Sequence, residues 1–113
     1  MEMIDLQNEF ATRLASSIKS PWDEIRVHYE NAVLYGESRE VYSASFRSNG
    51  VEHDLDISLE ALDVLLKLKQ CKPKNQQDEW IWFEFFIDKA GKYKFDYKYT
   101  DPPLIMQQLK YSK

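Results

Sequence analysis

Cys71 is the only cysteine of the chain and sits in Lys69-Gln-Cys-Lys72. Neighbouring cations favour a thiolate, which is the setting of a nucleophile. A nucleophile also needs a base within hydrogen-bond reach, and no histidine is near in sequence. A helix-end cysteine without a role is the better reading. His28, His53, Asp54 and Asp56 could in principle share a metal ion, but their spacing matches no metal motif. No metal or other cofactor is expected. Three glycines leave no room for a phosphate-cradling loop. Glu84 and Asp96 are the best pair of carboxylates for acid–base work, which needs a cleft, yet they face out from a hairpin. These residues argue against an enzyme.

Other residues suit binding. Trp82 and Phe86 beside Lys94 and Lys98 have the makings of a stacking platform with phosphate clamps for single-stranded RNA. Glu84 and Asp96 lie in the middle of that platform and would repel a phosphate chain. The same face serves a protein partner better, because aromatic side chains make anchors and charges give specificity.

The element that positions them is a hairpin over Trp80–Asp101. Ile81, Phe83, Phe85 and Ile87 recur with period two, and so do Tyr93, Phe95, Tyr97 and Tyr99. Period two is the strand signature. Gly91 supplies the left-handed residue of a three-residue loop. The register that keeps the apolar faces together sets Ile87 opposite Tyr93, Phe85 opposite Phe95, Phe83 opposite Tyr97 and Ile81 opposite Tyr99. On the other face Glu84 then opposes Asp96, Phe86 opposes Lys94 and Trp82 opposes Lys98. Like charges in opposition are unfavourable, and large aromatics there must be covered or must bind something. Cover by a helix or by the chain's tail is the plain alternative to function.

Elsewhere, Met3, Leu6, Phe10, Leu14 and Ile18 predict a helix over residues 2–19, stopped by Ser20-Pro21. Trp22–Leu34, Glu40–Arg47 and Val51–Ile57 read as strands, with Gly36 and Asn49-Gly50 at the turns. Ser58 is the expected cap of a second helix with Leu59, Leu62, Leu65, Leu66 and Leu68 as its apolar stripe. Lysines 67, 69, 72 and 74 crowd its C-terminal end, where cations are favoured, and Pro73 ends it. Asn75–Glu79 reads as a polar loop. Asp101 and Pro102 are expected to open a last short helix. The order is α-β-β-β-α-β-β-α. The expected fold is α+β, an antiparallel sheet of about five strands with helices packed on one face, forming a single domain over residues 1–113.

Composition agrees. Apolar residues make up 43% and charged residues 30%, which gives a packed interior and a solvated surface rather than disorder. A lone cysteine fits a reducing compartment, the first residues lack a secretory pattern, and no apolar run could cross a bilayer. A cytoplasmic protein without membrane contact is expected. The net charge of −4 is uneven: residues 1–63 hold thirteen acidic and five basic side chains, residues 64–113 ten basic and six acidic. The acidic half argues against nucleic acid and suits a basic partner, although mild acidity also serves solubility alone.

Gly91-Lys-Tyr-Lys-Phe-Asp-Tyr-Lys-Tyr-Thr-Asp101 resembles the closing signature of the YezG-like immunity (antitoxin) family of bacterial polymorphic toxin systems. There a Gly-Lys-aromatic strand runs into Asp-Tyr-x-Tyr-x-Asp, matched here by Asp96, Tyr97, Tyr99 and Asp101. The N-terminal amphipathic helix, Pro21-Trp22, Glu40-Val41-Tyr42 and the acidic-capped helix before Trp80 follow in the same order. The resemblance implies a cytoplasmic immunity protein, not an enzyme, that binds and neutralises a secreted or contact-delivered toxin. The expected partner is a basic, nuclease-like toxin domain. The expected contacts are Trp82, Glu84, Phe86 and Asp96 on the hairpin, or Glu52, Asp54 and Asp56 on the acidic third strand. A single-stranded RNA-binding module using Trp82, Phe86, Lys94 and Lys98 is the alternative. The free chain is expected to be a monomer or a weak dimer.

Overall fold

A computed structural model describes residues 3–70 and 80–111. The elements are α1 (Met3–Ser17), β1 (Glu24–Leu34), β2 (Glu37–Ser48), β3 (Val51–Asp54), α2 (Leu59–Gln70), β4 (Trp82–Asp88), β5 (Tyr93–Lys98) and α3 (Pro103–Tyr111). The expected element order and α+β class hold. The strands form one antiparallel sheet in the order β3-β2-β1-β4-β5. Cys71, Lys72, Pro73, Lys74 and the Asn75–Glu79 loop lie outside the described residues.

The β4–β5 hairpin takes the register its alternation dictates: Ile87 opposes Tyr93, Phe85 opposes Phe95 and Phe83 opposes Tyr97. Gly91 has φ +87°, and the Asp88 carboxylate accepts from the Ala90 and Lys92 N–H groups across the loop. The ladder ends at Trp82 opposite Lys98 rather than at Ile81 opposite Tyr99. The Ile81 N–H donates to the Lys98 carbonyl, so two residues face one, as in a β-bulge.

β1 ends at Leu34 as expected and starts at Glu24, whereas β2 runs beyond its expected bounds at both ends, from Glu37 to Ser48. Tyr35 (φ 54°) and Gly36 (φ 78°) make a two-residue turn with both φ values positive, the type whose twist matches a hairpin. Pairing therefore reaches Leu34 opposite Glu37, whereas β4 stops opposite Glu30. The far end of the ribbon extends past the sheet with Val33 and Tyr35 exposed. β3 is shorter than expected. After Asp54 the chain turns in, the Leu55 N–H bonds the Ala44 carbonyl, and Ile57 is buried. Burial of Ile57 ends the strand.

One sheet face carries the core. Ile25, Val27 and Tyr29 of β1 and Phe83, Phe85 and Ile87 of β4 pack under Leu6, Phe10, Ala11 and Leu14 of α1 and Ala61, Val64, Leu65 and Leu68 of α2. The buried stripe of α2 thus has the spacing i, i+3, i+4, i+7 but differs from the leucine pattern: Leu59 and Leu66 are exposed. Hydrophobicity alone favoured the leucines, while the cap fixes the helix rotation. The Ala61 N–H donates to Ser58 Oγ at 3.2 Å, and Ala61 faces inward.

Tyr29 is fully buried, its hydroxyl donating to Glu40 and accepting from Asn31 Nδ2 at 3.1 Å. Burial, with Glu40 beside it, pushes its phenol well above the ordinary range despite the opposing Asn31 bond. The unfolded chain therefore loses this proton first. Stability is expected to be unaffected by Tyr29 below about pH 10 and to fall as pH rises beyond it. Urea midpoints measured on either side of that pH for wild type and Tyr29→Phe check this; equal slopes for the two would contradict it.

α3 departs from helices on one face. Glu30 alternates with Tyr29 and so points away from the core, and its carboxylate accepts from the Leu104 and Ile105 N–H groups, each at 2.9 Å. Ile105 is fully buried yet separate from the core cluster. α3 therefore packs on the outer face of the sheet. Its start also differs: the Met106 N–H bonds the Pro102 carbonyl, making Pro102 the cap and Pro103 the first helical residue. Asp101 is exposed, and the capping carboxylate comes from Glu30, distant in sequence.

Candidate functional site

α3 divides the outer face. Its N-terminus sits over Glu30, the residue paired with Trp82. The cover anticipated for this face is therefore real but partial, and it falls at the Trp82 end. The Trp82 indole N–H donates to Thr100 Oγ1 at 3.3 Å, and its ring lies 5.1 Å from that of His28. The other end stays open as a concave surface of about 550 Å³.

All five strands contribute to the open end: Arg26 and His28 from β1, Ser43 and Ser45 from β2, Glu52 and Asp54 from β3, Glu84 and Phe86 from β4, Lys94 and Asp96 from β5. Strand alternation brings them to one side, and the ladders align Arg26 with Ser45 and Phe86 and His28 with Ser43 and Glu84. Of the seven expected contact residues, Glu52, Asp54, Glu84, Phe86 and Asp96 meet here. Trp82 lies beside the surface and outside its lining. Asp56 follows the end of β3, exposed, and does not join it.

The opposed carboxylates are accommodated separately. Asp96 pairs with Lys98 at 3.1 Å, and Glu84 Oε1 lies 3.8 Å from His28 Nδ1. His28 Nε2 contacts Glu30, so one imidazole links the open surface to the buried cap of α3. The Arg26 guanidinium stands 5.1 Å over the Phe86 ring and 3.4 Å from the Glu24 carboxylate, which Arg47 also approaches. Among the described residues no ion pair engages Glu52, Asp54 or Lys94. The surface offers uncompensated carboxylates at its β3 edge and a lysine at its β5 edge. Arg26 was not expected here. Its alternation with Ile25 and Val27 was legible, but its cross-strand neighbour Phe86 was not.

This geometry bears on the other readings. Stacking of bases needs open ring faces. Phe86 has Arg26 over its ring, and Trp82 has His28 against it and Lys98 at 6.0 Å. Lys98 is engaged by Asp96. His53 stacks on Phe46, the core-side residue opposite it, whereas His28 belongs to the outer face. The two histidines do not converge with Asp54 and Asp56 on a metal. No group of three or more histidine, cysteine or acidic side chains among the described residues could hold a metal ion, and none of their helices is long and apolar enough to cross a membrane.

A search of curated proteins finds no match. A family profile described as immunity protein YezG-like matches residues 3–110. That span runs from the start of α1 to the last turn of α3, and it includes every strand of the open face and the Asp-Tyr-x-Tyr-x-Asp segment that begins in β5 and runs past its end. The chain belongs to the YezG-like immunity protein family, and that membership supports an immunity role with a toxin as the partner.

Proposed function

We propose that the chain neutralises its toxin as a non-catalytic inhibitor, by laying the open end of the outer sheet face against a basic surface of that toxin. The toxin in this reading is a nuclease, whose substrate-binding surface must be cationic to hold phosphates. The setting is the bacterial cytoplasm, within a polymorphic or contact-dependent toxin system. The observation that supports it is the meeting of Glu52, Asp54, Glu84 and Asp96 around Phe86 on one concave face, with Glu52 and Asp54 unpaired among the described residues. Phe86, held by Arg26, is a preordered aromatic anchor. Aromatic anchors surrounded by charge are how protein interfaces combine affinity with specificity.

Glu52 and Asp54 are exposed, so their contribution is to encounter. The double variant Glu52→Lys/Asp54→Lys is expected to slow association with the toxin about tenfold or more at low ionic strength, with much of the difference vanishing at high salt. Stopped-flow association of the toxin domain that co-purifies with the wild-type chain measures this. Unchanged association at low salt would remove this face from the reading. A captured toxin without nuclease activity would remove the nuclease and leave the face standing.

A further inference from the structure

His28 stands between two carboxylates. On the outer face of β1 its Nε2 contacts Glu30, and its Nδ1 lies 3.8 Å from Oε1 of Glu84, the residue opposite it on β4. A carboxylate can only accept, so Nε2 carries a hydrogen. The oxygen it meets, Glu30 Oε2, also accepts from the Leu104 N–H at 2.9 Å, while Oε1 accepts from the Ile105 N–H. Glu30 is inaccessible to solvent, whereas Glu84 is largely exposed. One ring therefore reaches from the buried cap of α3 to the open face.

The surroundings decide what a second proton on that ring would meet. Trp82 of β4 lays its ring 5.1 Å from the imidazole, and an aromatic face favours a cation. β2 places the uncharged Ser43 opposite His28. On β1 the Arg26 guanidinium turns to Phe86 and Glu24. On β5 Asp96 engages Lys98, which stands 6.0 Å from the Trp82 ring. α3 offers the Leu104 and Ile105 N–H groups and no charged side chain before Lys110. A neutral imidazole has one N–H and one lone pair. With its hydrogen on Nε2 it turns the lone pair toward Glu84, and a proton on Nδ1 replaces that opposition with an attraction. Burial of the ring works against the added charge. Two carboxylates and an indole face work for it.

We propose that His28 is a positioning residue of the outer face whose proton ties Glu84 to Glu30, so that the order of the open face and the docking of α3 weaken together as the proton leaves. The docked helix shuts water away from Glu30 and so strengthens its attraction for the imidazolium. The docked state therefore binds the proton more tightly than the undocked one. Docking is firmest with His28 charged and weakens as pH rises through its titration. The consequence for a toxin rests on the proposed binding reading: dissociation is expected to quicken over the same range.

Hydrogen exchange of the full chain, corrected for intrinsic rates and followed from about pH 5 to 8, where histidine ordinarily changes charge, tests the link without a toxin. Protection of the Leu104 and Ile105 amides is expected to fall about tenfold across the range, while amides of the β1–β4 ladder keep theirs. His28→Gln retains an N–H for Glu30 but cannot take up a proton, so the fall should vanish. His53→Gln should preserve it, because His53 stacks on Phe46 away from this face. A wild type without the fall overturns the proposal, as does a fall that persists in His28→Gln or vanishes in His53→Gln as well. If His28→Gln does not fold, Glu84→Gln, at an exposed position, decides: a smaller fall supports the link and an unchanged one overturns it. Every arm uses the free chain. Failure here leaves the proposed binding at Glu52 and Asp54 untouched, and unchanged association of their lysine variant leaves the His28 link standing.

Discussion

Replacing Phe10 with alanine is expected to lower the unfolding free energy by about 3–5 kcal/mol, the range for deleting a fully buried aromatic ring. Phe10 is inaccessible to solvent. Its ring lies 5.2 Å from Phe85 at a steep angle, 6.5 Å from Phe83 and 6.0 Å from Phe95. One α1 side chain therefore holds the aromatic cluster of β4 and β5 under the helix layer. The rings left behind are themselves in contact, Phe95 lying tilted against Phe83 and Phe85 with centroids 5.2 and 4.8 Å apart, so they cannot collapse far into the space, which puts the cost in the upper part of the range. Urea unfolding with an unchanged m-value measures it; a loss under about 1 kcal/mol would mean that α1 does not anchor the cluster. Total stabilities are about 5–15 kcal/mol. A cell carrying Phe10→Ala is thus expected to lose protection against the toxin although no surface residue has changed. Variants on the proposed binding face report on binding only where they keep the wild-type urea midpoint.

The hairpin shows why some of this was legible. Its register is fixed by a strict period of two on both strands and a loop of set length, both local properties of residues 81–99. The same logic placed Glu84, Phe86 and Asp96 on one face before any neighbour was known. What local pattern could not supply was the order of strands. That β1 inserts beside β4, and so sets Arg26 over Phe86 and carries β3 to the far side of one surface, depends on long-range pairing. Glu52 and Asp54 were legible as an acidic strand, and Glu84 and Asp96 as an acidic pair. Their meeting was not. The α2 stripe shows a different shortfall. Of the leucines that hydrophobicity pointed to, Leu65 and Leu68 are buried and Leu62 packs at the margin of the core, but Leu59 and Leu66 are exposed, and the helix phase buries Ala61 and Val64 in their place.

Glu30→Ala is expected to cost about 2–4 kcal/mol and to free α3 from the sheet. The carboxylate is fully buried and serves two backbone N–H groups of the first turn of α3. Losing a capping oxygen costs about 1 kcal/mol, and leaving a buried donor unsatisfied about 1–3 kcal/mol. The negative charge at the helix N-terminus is lost as well, along with the His28 contact. Glu30→Gln keeps one acceptor oxygen and is expected to retain more of the stability than alanine does. Hydrogen exchange separates local from global effects. The amides of α3 should lose protection in Glu30→Ala while those of the β1–β4 ladder keep theirs, and α3 amides that remain as protected as in wild type would contradict this account. Function should follow position. α3 covers the Trp82 end of the outer face, and His28 joins Glu30 to Glu84 at its open end. Release of the helix removes a wall of the face and a restraint on its charges together. Toxin affinity is therefore expected to fall in Glu30→Ala even where the protein stays folded, through faster dissociation, whereas Glu52→Lys/Asp54→Lys acts through slower association. On the proposed binding face the two effects are expected in different rate constants, because one set of charges would steer the encounter from the rim and the other would hold the shape of the surface that is met.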